Sequence, residues 1–267
     1  MTTYRNPILS GMYPDPSICR VGEDYYLVTS SFCYFPGVPL FHSRDLIHWR
    51  QIGHCLSRPS QVDFGDIASG HGIFAPTIRH HNGRFYMITT LVGGGGHFYV
   101  WTDDPAGEWS DPIWIHADGI DPSLFFDADG RVYLTCTGDP HGIYLAELDL
   151  ATGRILSEQK MIWGGAGGRY PEGPHIYHHN GYYYLLISEG GTEYAHRMTM
   201  ARAKNIWGDY EPCPYNPIFS HQNYPAHPLQ ATGHGDLVQD SAGSWWMVCL
   251  AIRPTSQYFQ THHLGRE

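Results

Sequence analysis

One pattern limits what this chain can fold into more than any other: it is written five times. "DPSICRVGEDYYLVTSS" begins at Asp15, "APTIRHHNGRFYMITT" at Ala75 and "DPSLFFDADGRVYLTCT" at Asp121. "GPHIYHHNGYYYLLIS" begins at Gly173 and "HGDLVQDSAGSWWMVCL" at His234. Each copy has a short apolar run, a polar turn with Gly, and an alternating run rich in aromatic residues. Two alternating runs joined by such a turn form a β-hairpin. Aligned on Pro16, Pro76, Pro122, Pro174 and Gly235, the copies stand 46 to 61 residues apart.

A second echo follows three of the hairpins. "SRDLIHW" ends at Trp49, "DDPAGEW" ends at Trp109, and "AKNIWGDY" contains Trp207. Each reads as a turn leading to an outer strand, which gives about four strands per unit. No helix-period stretch interrupts the pattern. A recurring four-stranded unit is a propeller blade. The expected fold is therefore all-β, a five-bladed β-propeller over residues 1–267. A β-sandwich with coincidental hairpins would not share residue types as well as spacing. The fifth unit starts at His234 with 33 residues left, so the last blade is expected to be incomplete. Either "YRNPILSG" near the N-terminus fills the gap or the chain is a piece of a longer one; truncation is the favoured reading.

In a propeller the first strand of every blade lines the axis, so its leading residues converge at one mouth. Those positions carry Asp15, Ala75, Asp121, Glu172 (one residue before Gly173) and His234. Three carboxylates in one pocket cannot all ionise cheaply, so at least one pKa is expected to rise. A raised carboxyl donates a proton and an ionised one accepts it, which is what cleavage of a glycosidic bond requires. A single Asp-Pro would be read as a turn; three acids at equivalent positions outweigh that reading.

Composition narrows the ligand. The net charge is −10 with 18 His taken as neutral, and Lys160 and Lys204 are the only lysines. That leaves no basic stripe for nucleic acid or for an anionic membrane. A neutral polar ligand such as a sugar fits better. No apolar run reaches the length of a membrane span. "MTTYRNPILSG" does not read as a secretory signal. Six scattered Cys without a CxxC read as reduced thiols, and so as a cytoplasmic protein. The pairs His80–His81, His178–His179 and His262–His263 are not a zinc constellation, because adjacent residues point to opposite sides of a strand; the first two pairs are expected in hairpin turns.

The chain also resembles glycoside hydrolase family 43, the inverting five-bladed propeller enzymes that remove xylose or arabinose from plant polysaccharides. The stretches carrying the resemblance are "NPILSGMYPDPSICRVGEDYYLVTSSF", "FPGVPLFHSRDLIHW", "GIDPSLFFDADG", "GGRYPEGPHIYHHNGYYYLLISEGGTEY", "ATGHGDLV" and "HHLGRE". They run over nearly the whole chain. The resemblance implies that Asp15 is the general base, Glu172 the general acid, and Asp121 the residue that orients Glu172 and raises its pKa. It implies a separation of about 6.5–9.5 Å between the carboxyls of Asp15 and Glu172, room for a water.

Further roles come from the same resemblance. Arg266 would reach the sugar, and Phe32 and Phe74 would wall the terminal sugar subsite. His234 would lie beneath the acids, in contact with substrate, as the ligand of a structural calcium whose shell is filled by waters, or as a structural histidine hydrogen-bonded to a carboxylate. No cofactor is required. Phe74 stands where a larger aromatic is usual, and Cys33 where relatives often carry an acid. Both departures bear on substrate preference, and the "LVGGGGH" loop is expected to border the pocket.

The expected activity is that of an inverting exo-glycosidase acting on terminal β-D-xylosyl or α-L-arabinofuranosyl units of small oligosaccharides, with a C-terminal β-sandwich following in a longer protein. Two alternatives remain: a retaining fructan-type propeller hydrolase with carboxyls about 5–5.5 Å apart, and a non-catalytic sugar-binding propeller.

Overall fold

The structure, a computed structural model, describes residues 3–254. It is a β-propeller arrangement of antiparallel sheets, in agreement with the all-β expectation. The first blade is a meander of Ser17–Val21, Asp24–Val28, Gly37–Ser43 and Arg50–Leu56. The second has its inner strand in two pieces, Gly72–Ile73 and Thr77–His81, both paired with Arg84–Val92, followed by Gly96–Thr102 and Ile113–Ile115. The third runs Ile120–Phe126, Val132–Gly138 and Gly142–Asp149, with an outer edge split into Arg154–Ile155 and Lys160–Trp163. The fourth runs Glu172–His179, Tyr182–Glu189 and Arg197–Ala203, edged by Glu211–Pro212 and Phe219–Ser220.

The fifth repeat differs. Gln230–Gln239 and Trp245–Ile252 form a two-stranded sheet. Four blades are thus formed among the described residues, and the expected fifth is present there as a hairpin. A groove of about 600 Å³ runs beside that hairpin, lined among others by Tyr4, Leu9, Phe219, Trp246 and Val248. Residues 4–9 of the N-terminal segment line one side of this groove.

The core lies between blades, because a strand sends alternate side chains to opposite faces. In Asp24–Val28, Tyr25 and Leu27 pack with Ile18, Phe41, Val238 and Val248, toward the fifth hairpin. Tyr26 and Val28 pack the other way, with Ile78, Phe85 and Met87 of the second blade. The second blade repeats the device. Phe85 and Met87 face the first blade, whereas Tyr86 and Ile88 face Leu124 and Leu134 of the third. The third and fourth blades are joined likewise, through Tyr133, Leu145, Ile176 and Leu185, so the inner strands surround one axis.

Two expectations about histidines change. His80 and His81 end the strand Thr77–His81, and His178 and His179 end Glu172–His179; they are not in the turns. They stack there on aromatic rings, His81 on Phe126 at 4.3 Å and His178 on Tyr183 at 4.6 Å between centroids. The apolar neighbour explains the shift from turn to strand. His262–His263 lies outside the described residues.

Candidate active site

The inner strands begin with one backbone bend. Asp15, Asp121, Gly173 and His234 all have left-handed backbone, with φ of 55°, 54°, 60° and 46°. They precede Pro16, Pro122, Pro174 and Gly235. A left-handed residue other than Gly costs roughly 1–2 kcal/mol, and such strain clusters at functional sites.

The ladder is interrupted at the same point. Ile120 faces Thr137, but the next pair is Ser123 with Thr135. Glu172 faces Ser188, and the next pair is His175 with Leu186. Gly233 faces Leu250, and the next is Asp236 with Val248. In the first blade Ser30 N donates to Pro14 O at 3.0 Å, and pairing resumes at Ser17 with Val28. Proline, which lacks an N–H, is tolerated at such bulges, and a bulge re-aims the side chain beside it. The repeated Asp-Pro-Ser is therefore a device that turns a carboxylate toward the axis.

His234 lies between Asp15 and Gly173. Its Nδ1 lies 3.6 Å from Asp15 Oδ1. On the other side is Gly173, where a Cβ would stand 3.0 Å from His234 Nε2. That close approach, together with the bend, accounts for Gly at the fourth leading position and for the acid one residue earlier, at Glu172. The backbone N–H of His234 donates to Ser188 Oγ, and Ser188 faces Glu172 across the ladder. Ser30 Oγ donates to Asp15 Oδ2 at 2.6 Å. The N–H of Gly173 donates to Asp121 Oδ2 at 3.2 Å. Asp15, Asp121 and His234 are each under 9% exposed, and Glu172 is half-buried.

Burial pushes the Asp121 carboxyl up to about 6; the His234 ring pulls it down, the Asp15 charge pushes it up, and the Gly173 N–H favours its charged form. Desolvation wins because the group is enclosed and has few donors. The pocket thus holds a carboxyl whose pKa is raised above the usual carboxylate range, directly beside the backbone of Glu172.

Phe32 and Phe74 also come together, edge to face with centroids 5.6 Å apart. Phe32 is held by two backbone bonds with Ile73, at 2.8 and 2.9 Å. Phe74 immediately precedes Ala75, so the pair belongs to the mouth where the inner strands begin. Arg266 lies outside the described residues.

The His234 ring is flanked by Asp15 and Gly173. Among the described residues no group of three or more His, Cys, Asp or Glu side chains could hold a metal ion. Calcium takes six to eight oxygens, so a calcium at His234 would draw most of its shell from water.

Beneath the acids lies a polar layer that the leading residues alone do not reveal. Asp236, fully buried, accepts Ser17 Oγ at 2.6 Å, Ile18 N at 3.0 Å and Tyr177 OH at 2.5 Å. Arg79 Nη1 lies 2.7 Å from Asp236 Oδ2, and Arg79 Nη2 lies 2.9 Å from His175 Nδ1. Thr77 Oγ1 donates to Pro122 O at 2.9 Å. Ser17, Thr77, Ser123, His175 and Asp236 all stand one residue after the aligned Pro or Gly. That column of polar residues is the signal that marks them. A second column, Ser30, Thr90, Thr137 and Ser188, marks the hydroxyls at the ends of the second strands.

Comparison with known proteins identifies the family. The sequence model for Glycosyl hydrolases family 43 matches residues 4–267. A non-reducing end alpha-L-arabinofuranosidase of Bacteroides ovatus is 51% identical over 99% of this chain and 50% of its own length. A beta-xylosidase of Bacillus subtilis is 40% identical over 93% of this chain and 50% of its own. The solved structure of a xyloglucan-locus GH43B protein of Bacteroides ovatus superposes with a TM-score of 0.93 at 49% identity, covering 98% of this chain and 53% of that one. A xylan beta-1,4-xylosidase of Bacillus halodurans superposes with a TM-score of 0.92 at 41% identity, covering 98% and 53%. The chain spans about half the length of these relatives. It belongs to glycosyl hydrolase family 43.

Proposed function

We propose that the chain carries the catalytic machinery of an inverting, exo-acting glycoside hydrolase. It releases terminal β-D-xylosyl or α-L-arabinofuranosyl units from xylan- or arabinan-derived oligosaccharides. The observation that carries this is the convergence on His234: Asp15 at 3.6 Å on one side, and on the other Gly173, whose N–H binds Asp121 and whose preceding residue is Glu172. Relatives named as arabinofuranosidase and beta-xylosidase support the choice of sugars.

Asp15 is the general base. Ser30 fixes one of its oxygens, and the carboxylate takes a proton from water as the water oxygen bonds to the anomeric carbon. Glu172 is the general acid. It gives its proton to the glycosidic oxygen as the bond from that oxygen to the anomeric carbon breaks, so the leaving sugar departs as an alcohol and the anomer inverts. Asp121 holds the backbone at Gly173, and when ionised its negative charge raises the pKa of Glu172, so that the acid is reloaded with a proton. Phe32 and Phe74 wall the sugar ring, and Arg266 contacts it. A calcium at His234 would be held by one ring nitrogen and by waters, and takes no part in these steps.

The same reading makes Gln230–Gln239 and Trp245–Ile252 the inner pair of a fifth blade. Its first strand carries His234 and Asp236 at the positions equivalent to those of the other blades, and the two strands pack on the first blade through Val238 and Val248.

The test is a proton NMR time course with 4-nitrophenyl β-D-xylopyranoside and 4-nitrophenyl α-L-arabinofuranoside, beside Glu172→Gln. The expected first product is the inverted anomer, with the variant inactive on unactivated oligosaccharides. A retained anomer would make Asp15 a nucleophile. Binding without turnover of any glycoside would favour the sugar-binding reading.

A further inference from the structure

We propose that Glu189 is a positioning residue for Glu172, clamping the glycine loop that delivers the acid. The inference rests on the reading of Glu172 as general acid. Glu189 ends the strand Tyr182–Glu189 and is fully buried. Its Oε1 accepts two backbone N–H groups, Ala166 at 3.0 Å and Gly168 at 2.8 Å. Both donors belong to the segment 164–171, which runs directly into Glu172.

The remaining contacts lead to the same loop. Glu189 Oε2 faces Arg197 Nε at 4.0 Å, and Glu189 pairs with Arg197 across the ladder. Gly190 N donates to Arg169 O at 2.7 Å, so the backbone beside Glu189 holds the loop as well. The glycines are what let the loop lie on this clamp. A Cβ on Gly165 would stand 2.6 Å from Glu189 Oε1, and one on Gly168 would stand 2.6 Å from Arg197 Nη2. Ser188, the preceding residue, pairs with Glu172 and accepts the His234 N–H. Two consecutive strand residues therefore hold the acid from both directions, Ser188 at its own backbone and Glu189 at the loop before it.

An anionic acceptor suits the task. Hydrogen bonds to an ionised oxygen are about twice as strong as neutral ones, and one carboxylate oxygen can gather two converging N–H groups. Burying that charge is costly without a partner; the facing cation is Arg197, whose Nε stands 4.0 Å from Oε2 with no hydrogen bond between them. A general acid displaced by a fraction of an ångström still leaves a folded protein. What it loses is proton transfer to the leaving oxygen.

The experiment compares an unactivated disaccharide with the 2,4-dinitrophenyl glycoside of the same sugar, whose leaving group departs without a proton. The full chain and its Glu189→Ala, Glu189→Gln, Gly168→Ala and Glu172→Gln variants are measured, with kcat and KM taken across pH. Glu189→Ala is expected to lower kcat about 100-fold on the disaccharide and less than about 10-fold on the activated glycoside. The limb of the pH profile assigned to the acid shifts with it. Glu189→Gln keeps an acceptor for both N–H groups and is expected to fall between wild type and Ala. Gly168→Ala disturbs the clamp from the loop side and is expected to show the same leaving-group dependence. If Glu189→Ala does not fold, Glu189→Gln and Gly168→Ala decide. Equal losses on the two substrates in these variants, or none, overturn the proposal. If Glu172→Gln itself shows no leaving-group dependence, the acid assignment fails first; if only the clamp variants lack it, the clamp alone fails.

Discussion

Asp236 and Arg79 meet on the propeller axis, with Arg79 Nη1 2.7 Å from Asp236 Oδ2 although the two are 157 residues apart in sequence. The pair joins the inner strand of the second blade to that of the fifth hairpin. Ser17 and Ile18 bring in the first blade, and Tyr177 brings in the fourth. Arg79 and its partners hold the Asp236 carboxyl well below the usual carboxylate range despite its burial. Removing one member of a buried pair leaves the other charge uncompensated, at a loss of about 3–5 kcal/mol. Asp236→Asn is therefore expected to lower stability by about that amount. Urea unfolding of the variant beside wild type measures it, and an unchanged midpoint would mean that the axis contributes little to closure.

His175 sets a second prediction. Its Nδ1 lies 2.9 Å from Arg79 Nη2 and 3.2 Å from Ser123 Oγ, so the folded ring is neutral. Burial, with Arg79 and His234 adding to it and Asp236 opposing, pushes its pKa down to about 3. In the unfolded chain the ring titrates near 6.5. Between those values the unfolded state binds the extra proton, so stability is full above about pH 6.5 and declines as pH falls toward 3. His175→Gln is expected to be less stable at pH 7, where a native contact is lost, yet to lose less than wild type on going to pH 4. Melting temperatures at pH 7, 5.5 and 4 test this, and parallel curves would refute it.

The sequence announces some of this architecture more openly than the rest. Inner strands are readable because Asp-Pro-Ser and its variants recur with a turn and an aromatic run behind them. The acids are readable for the same reason, since a bulge that aims Asp15 and Asp121 at the axis needs Pro and a hydroxyl in fixed places. The axial layer is hidden. Ser17, Thr77, Ser123, His175 and Asp236 are different side chains in one register, and only the geometry turns the column into a network. Glu189 is hidden further, because its partners are backbone N–H groups with no side-chain signature. The histidine pairs mislead because polar residues beside a Gly turn read as solvated, whereas the rings of His81 and His178 stack on aromatic neighbours brought in by pairing.

Asp121 trades stability for its place beside Glu172. Its folded pKa of about 6 lies above the ordinary value of 3.8, chiefly through burial. The folded state therefore binds the extra proton between those values, and stability falls as pH rises through that window. Asp121→Asn removes the penalty while its carbonyl still accepts the Gly173 N–H. The variant is expected to melt higher than wild type at pH 7 and about equally at pH 4, with activity greatly reduced. A lower melting temperature at pH 7 would show that the ionised carboxylate is itself stabilising.

Gly173 separates backbone strain from space. Its φ is 60°, and a Cβ there would stand 3.0 Å from His234 Nε2 and 3.1 Å from Cε1. Gly181, in the hairpin turn beyond the same strand, has φ of 73°, and a Cβ there would meet nothing within 4 Å. Alanine at either site adds the left-handed cost of roughly 1–2 kcal/mol. Only at Gly173 does it also press on the ring that faces Asp15, which must shift to relieve the contact. Gly181→Ala is therefore expected to lose stability and keep its turnover. Gly173→Ala is expected to lose similar stability and about 100-fold in kcat/KM, equivalent to about 2.7 kcal/mol of transition-state stabilisation. Initial rates on the two variants, each checked for folding by circular dichroism, decide the matter. Equal rates would mean that His234 can move without consequence for the acids around it.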